Sequence, residues 1–225
     1  MIAGALALTL SASATTKPRI PTIHVLPASL IPGLPPTVVP QLGETEYAFP
    51  VYGTSAFADT FGEARSDVPG GWHHGDDIFA PLGAPVLAVA HGVVFSAGWE
   101  RAGGRRLWLR DHRGNEFYYA HLSAYSPLAL DGAIVRAGDV LGFVGDTGDA
   151  EGTPYHLHFE IHPIGLLGRG YGGAVDPTSY LRSWRRVTYL RFDPGMDWTP
   201  AVLAANAPGA GAVLLRFSLD PALAR

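Results

Sequence analysis

The chain has 225 residues, of which 28 are glycine, 19 are proline and none is cysteine, and its formal net charge is −4. A chain of this length holds one medium domain with extensions or two small domains, and the lack of cysteine excludes disulfides, thiolate zinc ligands and a thiol nucleophile. The slightly acidic balance argues against a nucleic-acid-binding protein, which would present a basic domain or stripe.

The first segment, residues 1–14, reads MIAGALALTLSASA. A short apolar stretch followed by an Ala-Ser-Ala site is typical of a secretory signal peptide and is too short to span a bilayer. We therefore expect an exported protein, either secreted or held in the cell envelope. Because no other stretch approaches the roughly 20 apolar residues of a membrane helix, we expect no transmembrane span in the mature form.

Residues 15–43 contain seven prolines and almost no charge. Because proline favours extended conformations, this composition predicts a semi-rigid linker without strands. A strand-like composition begins at residue 44 and continues to residue 182, which predicts a single domain. Residues 183–225 form a C-terminal extension of unknown role, with four aromatic residues that could pack back onto the domain: Trp184, Tyr189, Phe192 and Trp198.

The central region reads as strands separated by turns. Residues 85–99 form two β-rich runs around His91-Gly92 and predict a hairpin or a bent strand. Residues 106–110 and 116–122 flank a turn and predict a second hairpin. Another apolar run covers residues 134–144, and no amphipathic helix of ten or more residues is indicated. The predicted fold is therefore mainly β, with a single antiparallel sheet.

The last predicted strand, residues 156–162, alternates strictly as HLHFEIH. Its three apolar residues face one side of the strand, and its four polar residues face the other: His156, His158, Glu160 and His162. Two imidazoles two residues apart on one strand face indicate either a metal site or hydrogen-bonded surface histidines.

A second cluster of ligand-type residues, WHHGDDI, lies at residues 72–78. Zinc in a hydrolase takes three protein ligands from histidine nitrogens and carboxylate oxygens. His73 and Asp77 stand four apart around a glycine and could bind one ion with His158, while His156 is placed to accept a proton. The same residues could equally serve only to form a turn, since Asp and Gly both favour turns. The presence of both clusters in one small domain favours a divalent metal site.

The chain at these residues resembles the lysostaphin-type (LytM-like) zinc endopeptidases, which cut the peptide part of bacterial peptidoglycan. The similar stretches follow one another in order: Phe61-Gly62, His73-x-Gly75-x-Asp77-Ile78, Ala80-Pro81-x-Gly83-x-Pro85-Val86, Gly92-Val93-Val94, Tyr119-Ala120-His121-Leu122 and His156-Leu157-His158-Phe159-Glu160-Ile161. The resemblance implies a groove over an antiparallel sheet. It also implies that His73, Asp77 and His158 bind zinc and that His121 and His156 are the catalytic pair.

The resemblance implies hydrolysis of an amide in peptidoglycan cross-links by a metal-activated water, without a covalent intermediate. Bound zinc lowers the pKa of its water to about 7 and polarises the scissile carbonyl. One of the two catalytic histidines would take the water's proton, and the other would stabilise the oxyanion or protonate the leaving amine. By resemblance, His156 is the base and His121 the stabiliser. The expected partners are peptidoglycan stem peptides and cross-links, and other cell-wall hydrolases.

The chain departs from the family pattern at two places. Asp76 occupies a position that is usually apolar, where its carboxylate would either face solvent or compete for the metal. The loop at residues 146–155 is about two residues longer and more acidic than the usual turn, and we expect it to border the groove and to affect cross-link preference. Four other histidines are expected to be structural or solvated: His74, His91, His112 and His162.

Two alternative functions follow from the same residues. The domain could be a non-catalytic module that binds peptidoglycan or activates another hydrolase. It could also keep the metal and cut a different bond, as a zinc amidase or as a protease of a substrate outside the wall. A degenerate binding module is expected to lose ligands or catalytic histidines, and all five positions are intact here, so the peptidoglycan endopeptidase is preferred.

Overall fold

The computed structural model describes residues 34–43 and 46–190. The expected signal peptide, the first part of the proline-rich segment, Phe192 and Trp198 lie outside the described residues. Within the described ranges, no helix combines the length and the apolar character that crossing a membrane requires.

In the part of the chain that the structure describes, nine strands form one antiparallel sheet. They are β1 (Ala56–Phe57), β2 (Asp76–Phe79), β3 (Pro85–Leu87), β4 (Gly92–Glu100), β5 (Gly104–Asp111), β6 (Glu116–Tyr125), β7 (Ile134–Val135), β8 (Val140–Val144) and β9 (His156–His162). One α-helix, α1 (Thr178–Ser183), and 3₁₀ turns at Pro69–Gly71, Gly148–Ala150 and Ile164–Gly173 complete the described elements. The predicted fold class, mainly β with a single antiparallel sheet, is confirmed.

The main sheet has the strand order β1-β2-β9-β6-β5-β4-β7, and β8 joins it by pairing with both β6 and β3. The hairpin predicted between residues 106–110 and 116–122 is present as β5 and β6, with Leu109 opposite Phe117. The two runs at residues 85–99 do not pair with each other. Instead β3 pairs with β8, and β4 pairs with β5 and β7. Both runs therefore form their hydrogen bonds with strands that come later in the sequence.

Strand β9 lies in the middle of the sheet, between β2 and β6. Its apolar residues, Leu157, Phe159 and Ile161, are fully buried in the main hydrophobic core. Full burial of each such side chain contributes about 1.5–3 kcal/mol to folding. Because side chains alternate along a strand, the histidines and Glu160 occupy the opposite face, where they form the floor of a groove. The alternation predicted from the sequence therefore positions the polar cluster.

The chain segments that precede the first strand and follow the last strand pack against the side of the sheet away from the groove. Leu42 is buried in the main core, and its carbonyl accepts a hydrogen bond of 3.0 Å from the Asn115 side chain. The Tyr180 hydroxyl donates to the carbonyl of Pro40 at 2.5 Å. Trp184 stacks on Tyr47 with a ring-centroid separation of 5.1 Å.

Candidate metal centre and active site

Strands β2 and β9 bring two of the three expected ligands together, because Asp77 and His158 are directly opposed cross-strand partners. His73 precedes β2 and is held by a backbone hydrogen bond of 2.8 Å from its N–H to the carbonyl of Glu63. The chain between His73 and Asp77 runs so close to β9 that a Cβ at Gly75 would collide with the carbonyl oxygen of Phe159. Glycine at position 75 is therefore required for His73 and Asp77 to converge.

The three expected ligands form a compact donor set. One ligand atom from each of His73, Asp77 and His158 lies within 4.8 Å of the others. Oδ1 of Asp77 is 3.3 Å from Nε2 of His73 and 3.1 Å from Nδ1 of His158. Two imidazole nitrogens and a carboxylate oxygen are the ligands of catalytic zinc, so this donor set fits that metal.

A second layer of contacts fixes which nitrogen each imidazole presents. Nδ1 of His73 lies 3.0 Å from the carbonyl of Thr60, which can only accept, so His73 presents Nε2 to Asp77. Nε2 of His158 lies 3.0 Å from Oε1 of Glu160, so His158 presents Nδ1 instead. Outer carbonyl and carboxylate partners of this kind orient histidine ligands in metal sites.

Glu160 is a buried carboxylate that joins two histidines of the groove floor. Its Oε1 accepts from His158, and its Oε2 lies 2.6 Å from Nε2 of His162. Although burial alone would raise the pKa of Glu160, its hydrogen bonds to the two histidines hold that pKa well below the usual range. Glu160 therefore stays ionised against His158.

The electrostatics of the cluster favour a positive charge at its centre. Burial alone would raise the pKa of Asp77, but hydrogen bonds from His158 and His73 hold it well below the usual range. Burial alone would lower the pKa of His158, but contacts with Asp77 and Glu160 raise it to about 10 when no metal is bound. Two ionised carboxylates thus enclose His158, which suits a site that takes up a cation.

The expected catalytic histidines lie next to this cluster, with ring centroids 4.9 Å apart. Nδ1 of His121 lies 2.8 Å from the carbonyl of Thr147, and Nδ1 of His156 lies 2.7 Å from the carbonyl of Pro154. Because both Nδ1 atoms donate, each neutral ring keeps the lone pair of Nε2 free. Nε2 of His156 lies 3.9 Å from Oδ1 of Asp77.

His121 combines an uncommon backbone conformation with a buried side chain. Its φ angle is 61°, a left-handed conformation that is uncommon for a residue other than glycine and that clusters at functional sites. Burial, aided by the nearby His158 and His156, lowers its pKa to about 3. Its Nε2 lies 3.8 Å from Oδ1 of Asp149.

A cavity of about 240 Å³ lies beside the cluster, lined by groove-floor and loop residues that include His73, His121, His158, Arg101 and Tyr171. The loop at residues 146–155 borders it, as expected, through Asp149. Oδ2 of Asp149 lies 2.8 Å from Nη2 of Arg65, which comes from the loop before β2. This ion pair joins the two walls of the groove.

Asp76 adopts neither of the orientations expected from the sequence. It is fully buried on the face of β2 opposite Asp77, where Oδ2 accepts from the Thr178 hydroxyl at 2.7 Å and Oδ1 accepts from the Thr60 N–H at 3.2 Å. Burial raises its pKa to about 6. The alternation of β2 therefore keeps this carboxylate out of the solvent and away from the candidate metal site.

The remaining histidines of the domain fall into two groups. His91 and His112 are exposed. His74 is buried with its ring 4.0 Å from that of Trp72, and burial lowers its pKa to about 4. His162 is buried against Glu160. Neither Glu160 nor the backbone carbonyls that accept from the histidine Nδ1 atoms were singled out from the sequence. The alternation of β9 nevertheless places Glu160 on the face of His158.

The chain is similar to known proteins over the region that contains these residues. The model of Peptidase family M23 matches residues 71–177. The L-Ala–D-Glu endopeptidase of Bacillus subtilis (strain 168) is 37% identical over 156 residues, which cover 67% of this chain and 47% of that protein. The chain therefore spans about half the length of this curated relative.

The chain is also similar to solved structures. The antimicrobial peptidase lysostaphin from Staphylococcus simulans is 28% identical with a TM-score of 0.50, over 68% of this chain and 61% of that one. Its catalytic domain, crystallised separately, is 32% identical over 57% of this chain and 92% of that domain, with a TM-score of 0.49.

Proposed function

This chain belongs to peptidase family M23, and on that premise we propose that it is a zinc-dependent endopeptidase that hydrolyses amide bonds in the peptide cross-links of peptidoglycan, acting outside the cytoplasm. The observation that carries the proposal is the convergence of His73, Asp77 and His158 beside the paired rings of His121 and His156. The names of the relatives support the substrate, since they include an L-Ala–D-Glu endopeptidase and lysostaphin.

His73 through Nε2, Asp77 through its carboxylate and His158 through Nδ1 would hold the ion. When bound, zinc supplies a Lewis acid that polarises an amide carbonyl and lowers the pKa of water to about 7. Thr60 and Glu160 hold the outer nitrogens of the two imidazoles, so that the inner nitrogens face Asp77. Because His158 is protonated when no metal is bound, metal binding displaces the proton from its Nδ1. The protein therefore contributes a set of ligands that is orientated before the metal arrives.

Proton transfer is assigned to the two free Nε2 atoms. His156 accepts the proton of the attacking water at Nε2, because its Nδ1 is already engaged with Pro154. The resulting imidazolium returns that proton to the leaving amine. By resemblance, His121 is the stabiliser of the developing oxyanion. Its buried ring carries its proton on Nδ1, which donates to Thr147, so donation from Nε2 requires the imidazolium form that burial opposes. This division of roles follows the sequence-based assignment of His156 as base.

Digestion of purified peptidoglycan by the full chain, followed by mass spectrometry of the products, tests the proposal. We expect new amine and carboxylate ends within the peptide cross-links, lost on chelation and restored by zinc. Free lactyl-muramic ends would identify an amidase instead. An intact wall after treatment with folded, zinc-loaded protein would favour a binding or hydrolase-activating module, which would keep its affinity for the wall in His158→Ala.

A further inference from the structure

Phe79 presents an uncovered aromatic ring on the floor of the groove. It lies two residues after Asp77 in β2, so both side chains project from the same face of the strand. Its cross-strand partner in β9 is His156, and the two ring centroids are 5.6 Å apart. Phe79 is thus two residues from the candidate metal ligand Asp77 and directly opposite the candidate catalytic His156.

The alternation of β2 places this ring outside the core, and no neighbouring strand residue covers it. Phe79 is 39% exposed, whereas Ile78, next to it in the strand, is fully buried in the core. On the other side of Phe79, the cross-strand partner in β1 is Ala56, an exposed residue whose methyl group is too small to cover a phenyl ring. An apolar surface is therefore left open at the point where a substrate would lie.

The groove is chemically different on the other side of the candidate metal site. Along β9, the positions beyond His158 lead away from Phe79 to Glu160, which lines the cavity of about 240 Å³. The walls of that cavity carry Arg65, Arg101 and Asp149. The two halves of the groove thus offer an apolar surface at one end and charged groups at the other.

We propose that Phe79 is a specificity-determining residue whose ring forms an apolar subsite for one of the two substrate residues that flank the scissile amide. This inference rests on the proposed function. Each methyl or methylene group that the substrate buries on the ring favours binding by about fourfold. The site therefore prefers a peptide with an alkyl side chain at this position over the same peptide with glycine, and the glycyl–glycine bond is a poor substrate on this side.

The test uses synthetic peptides built around the bond that digestion identifies. Each flanking residue is varied in turn as glycine, alanine or valine, and kcat/KM is measured for the zinc-loaded full chain. The quantity compared is the ratio of kcat/KM values for alanine and glycine peptides, which does not depend on the fraction of active enzyme in a preparation. A preparation of the Phe79→Ala variant in which only part of the protein is folded therefore still gives a valid ratio of kcat/KM values.

We expect the parent chain to prefer alanine over glycine by about fourfold at one of the two positions. Phe79→Ala should bring that ratio close to one, and Phe79→Leu, which keeps an apolar surface, should restore most of it. Ile134→Ala is the matched control, because Ile134 is 71% exposed in β7 at the opposite edge of the sheet. Its ratio should equal that of the parent.

Two outcomes overturn the inference while leaving the proposed function intact. One is cleavage without a side-chain preference at either position, and the other is a preference that Phe79→Ala retains. Failure of the parent chain to cleave either peptidoglycan or any peptide of the series would instead contradict the proposed function itself.

Discussion

Asp77 and His158 are cross-strand partners in β2 and β9, and Oδ1 of Asp77 lies 3.1 Å from Nδ1 of His158. The pair therefore stands on two neighbouring strands whose backbone register fixes their separation. A site built on paired strands is positioned more precisely than one built on loops. The geometry of this pair of candidate ligands is for this reason a property of the sheet.

Removal of one ligand should remove the metal and the activity together. Asp77→Ala leaves only two imidazoles to hold zinc, which is too few for a stable site. We expect zinc content, measured by atomic absorption after dialysis, to fall to a small fraction of one ion per chain. Glu46→Ala is the matched control, since Glu46 is an exposed carboxylate outside both groups of candidate ligand residues in the described chain. Stoichiometric zinc in Asp77→Ala would contradict the assignment.

Glu160 should control the affinity for metal without being a ligand. Glu160→Ala removes the acceptor that fixes Nε2 of His158, and loss of such outer partners typically costs 10–100-fold in metal affinity. Glu160→Gln keeps one acceptor oxygen for His158 and should lose less. Competition with a chromogenic chelator measures the zinc affinity of all three proteins. Equal affinities in the parent chain and Glu160→Ala would show that His158 is orientated by other contacts.

His121 should be needed for turnover but not for metal binding. His121→Ala leaves the three candidate ligands in place, so zinc content should stay near one ion per chain. The rate should fall by about two to four orders of magnitude, the usual range for acid–base or oxyanion groups. His112→Ala, at an exposed histidine, should behave as the parent. Near-normal turnover by His121→Ala would remove His121 from the mechanism.

The buried imidazole of His74 should make the metal-free protein less stable at acidic pH. Burial lowers its folded-state pKa to about 4, while the unfolded value is about 6.5. As pH falls through 6.5, the unfolded chain gains a proton that the folded chain resists, so unfolding becomes more favourable. Between pH 7.5 and pH 5.5 this one group lowers the free energy of unfolding by about 1 kcal/mol.

His74→Phe tests this effect, because the new ring can still pack against Trp72 but cannot take up a proton. Urea denaturation of the metal-free parent and variant at both pH values gives the two changes in the free energy of unfolding. The variant should show the smaller loss at acidic pH. An identical loss in both proteins would place the pH dependence on other groups.

Local pattern was sufficient to predict much of the sheet and the composition of the site. The strict alternation of residues 156–162 predicted both the core face and the polar face of β9, and the turn between β5 and β6 predicted their hairpin. The partners of β3 and β4 could not be read from residues 85–99, because pairing with β8, β5 and β7 depends on segments distant in sequence.

The same distinction applies to Asp76 and Glu160. The alternation of β2 already required Asp76 and Asp77 to face opposite ways, but the hydroxyl of Thr178 that satisfies Asp76 is about a hundred residues away in sequence. The role of Glu160 depends on the tautomer of His158, and a tautomer is determined by contacts in three dimensions rather than by spacing. Residue types and strand alternation were therefore enough to indicate the candidate metal ligands. The contacts that surround those ligands could be identified only from the three-dimensional structure.

The packing of Leu42 and Trp184 behind the sheet has a practical consequence for attaching the protein to a solid support. The described segments before β1 and after α1 pack on one side of the sheet, whereas His121, His156 and Phe79 lie on the groove side. A support attached at the back of the sheet, near Leu42 or Trp184, would leave the groove side uncovered. A fragment that begins at residue 44 would lack Leu42 from the core. It would also lose the hydrogen bond from the Asn115 amide to the Leu42 carbonyl, which fastens the N-terminal flank to the domain.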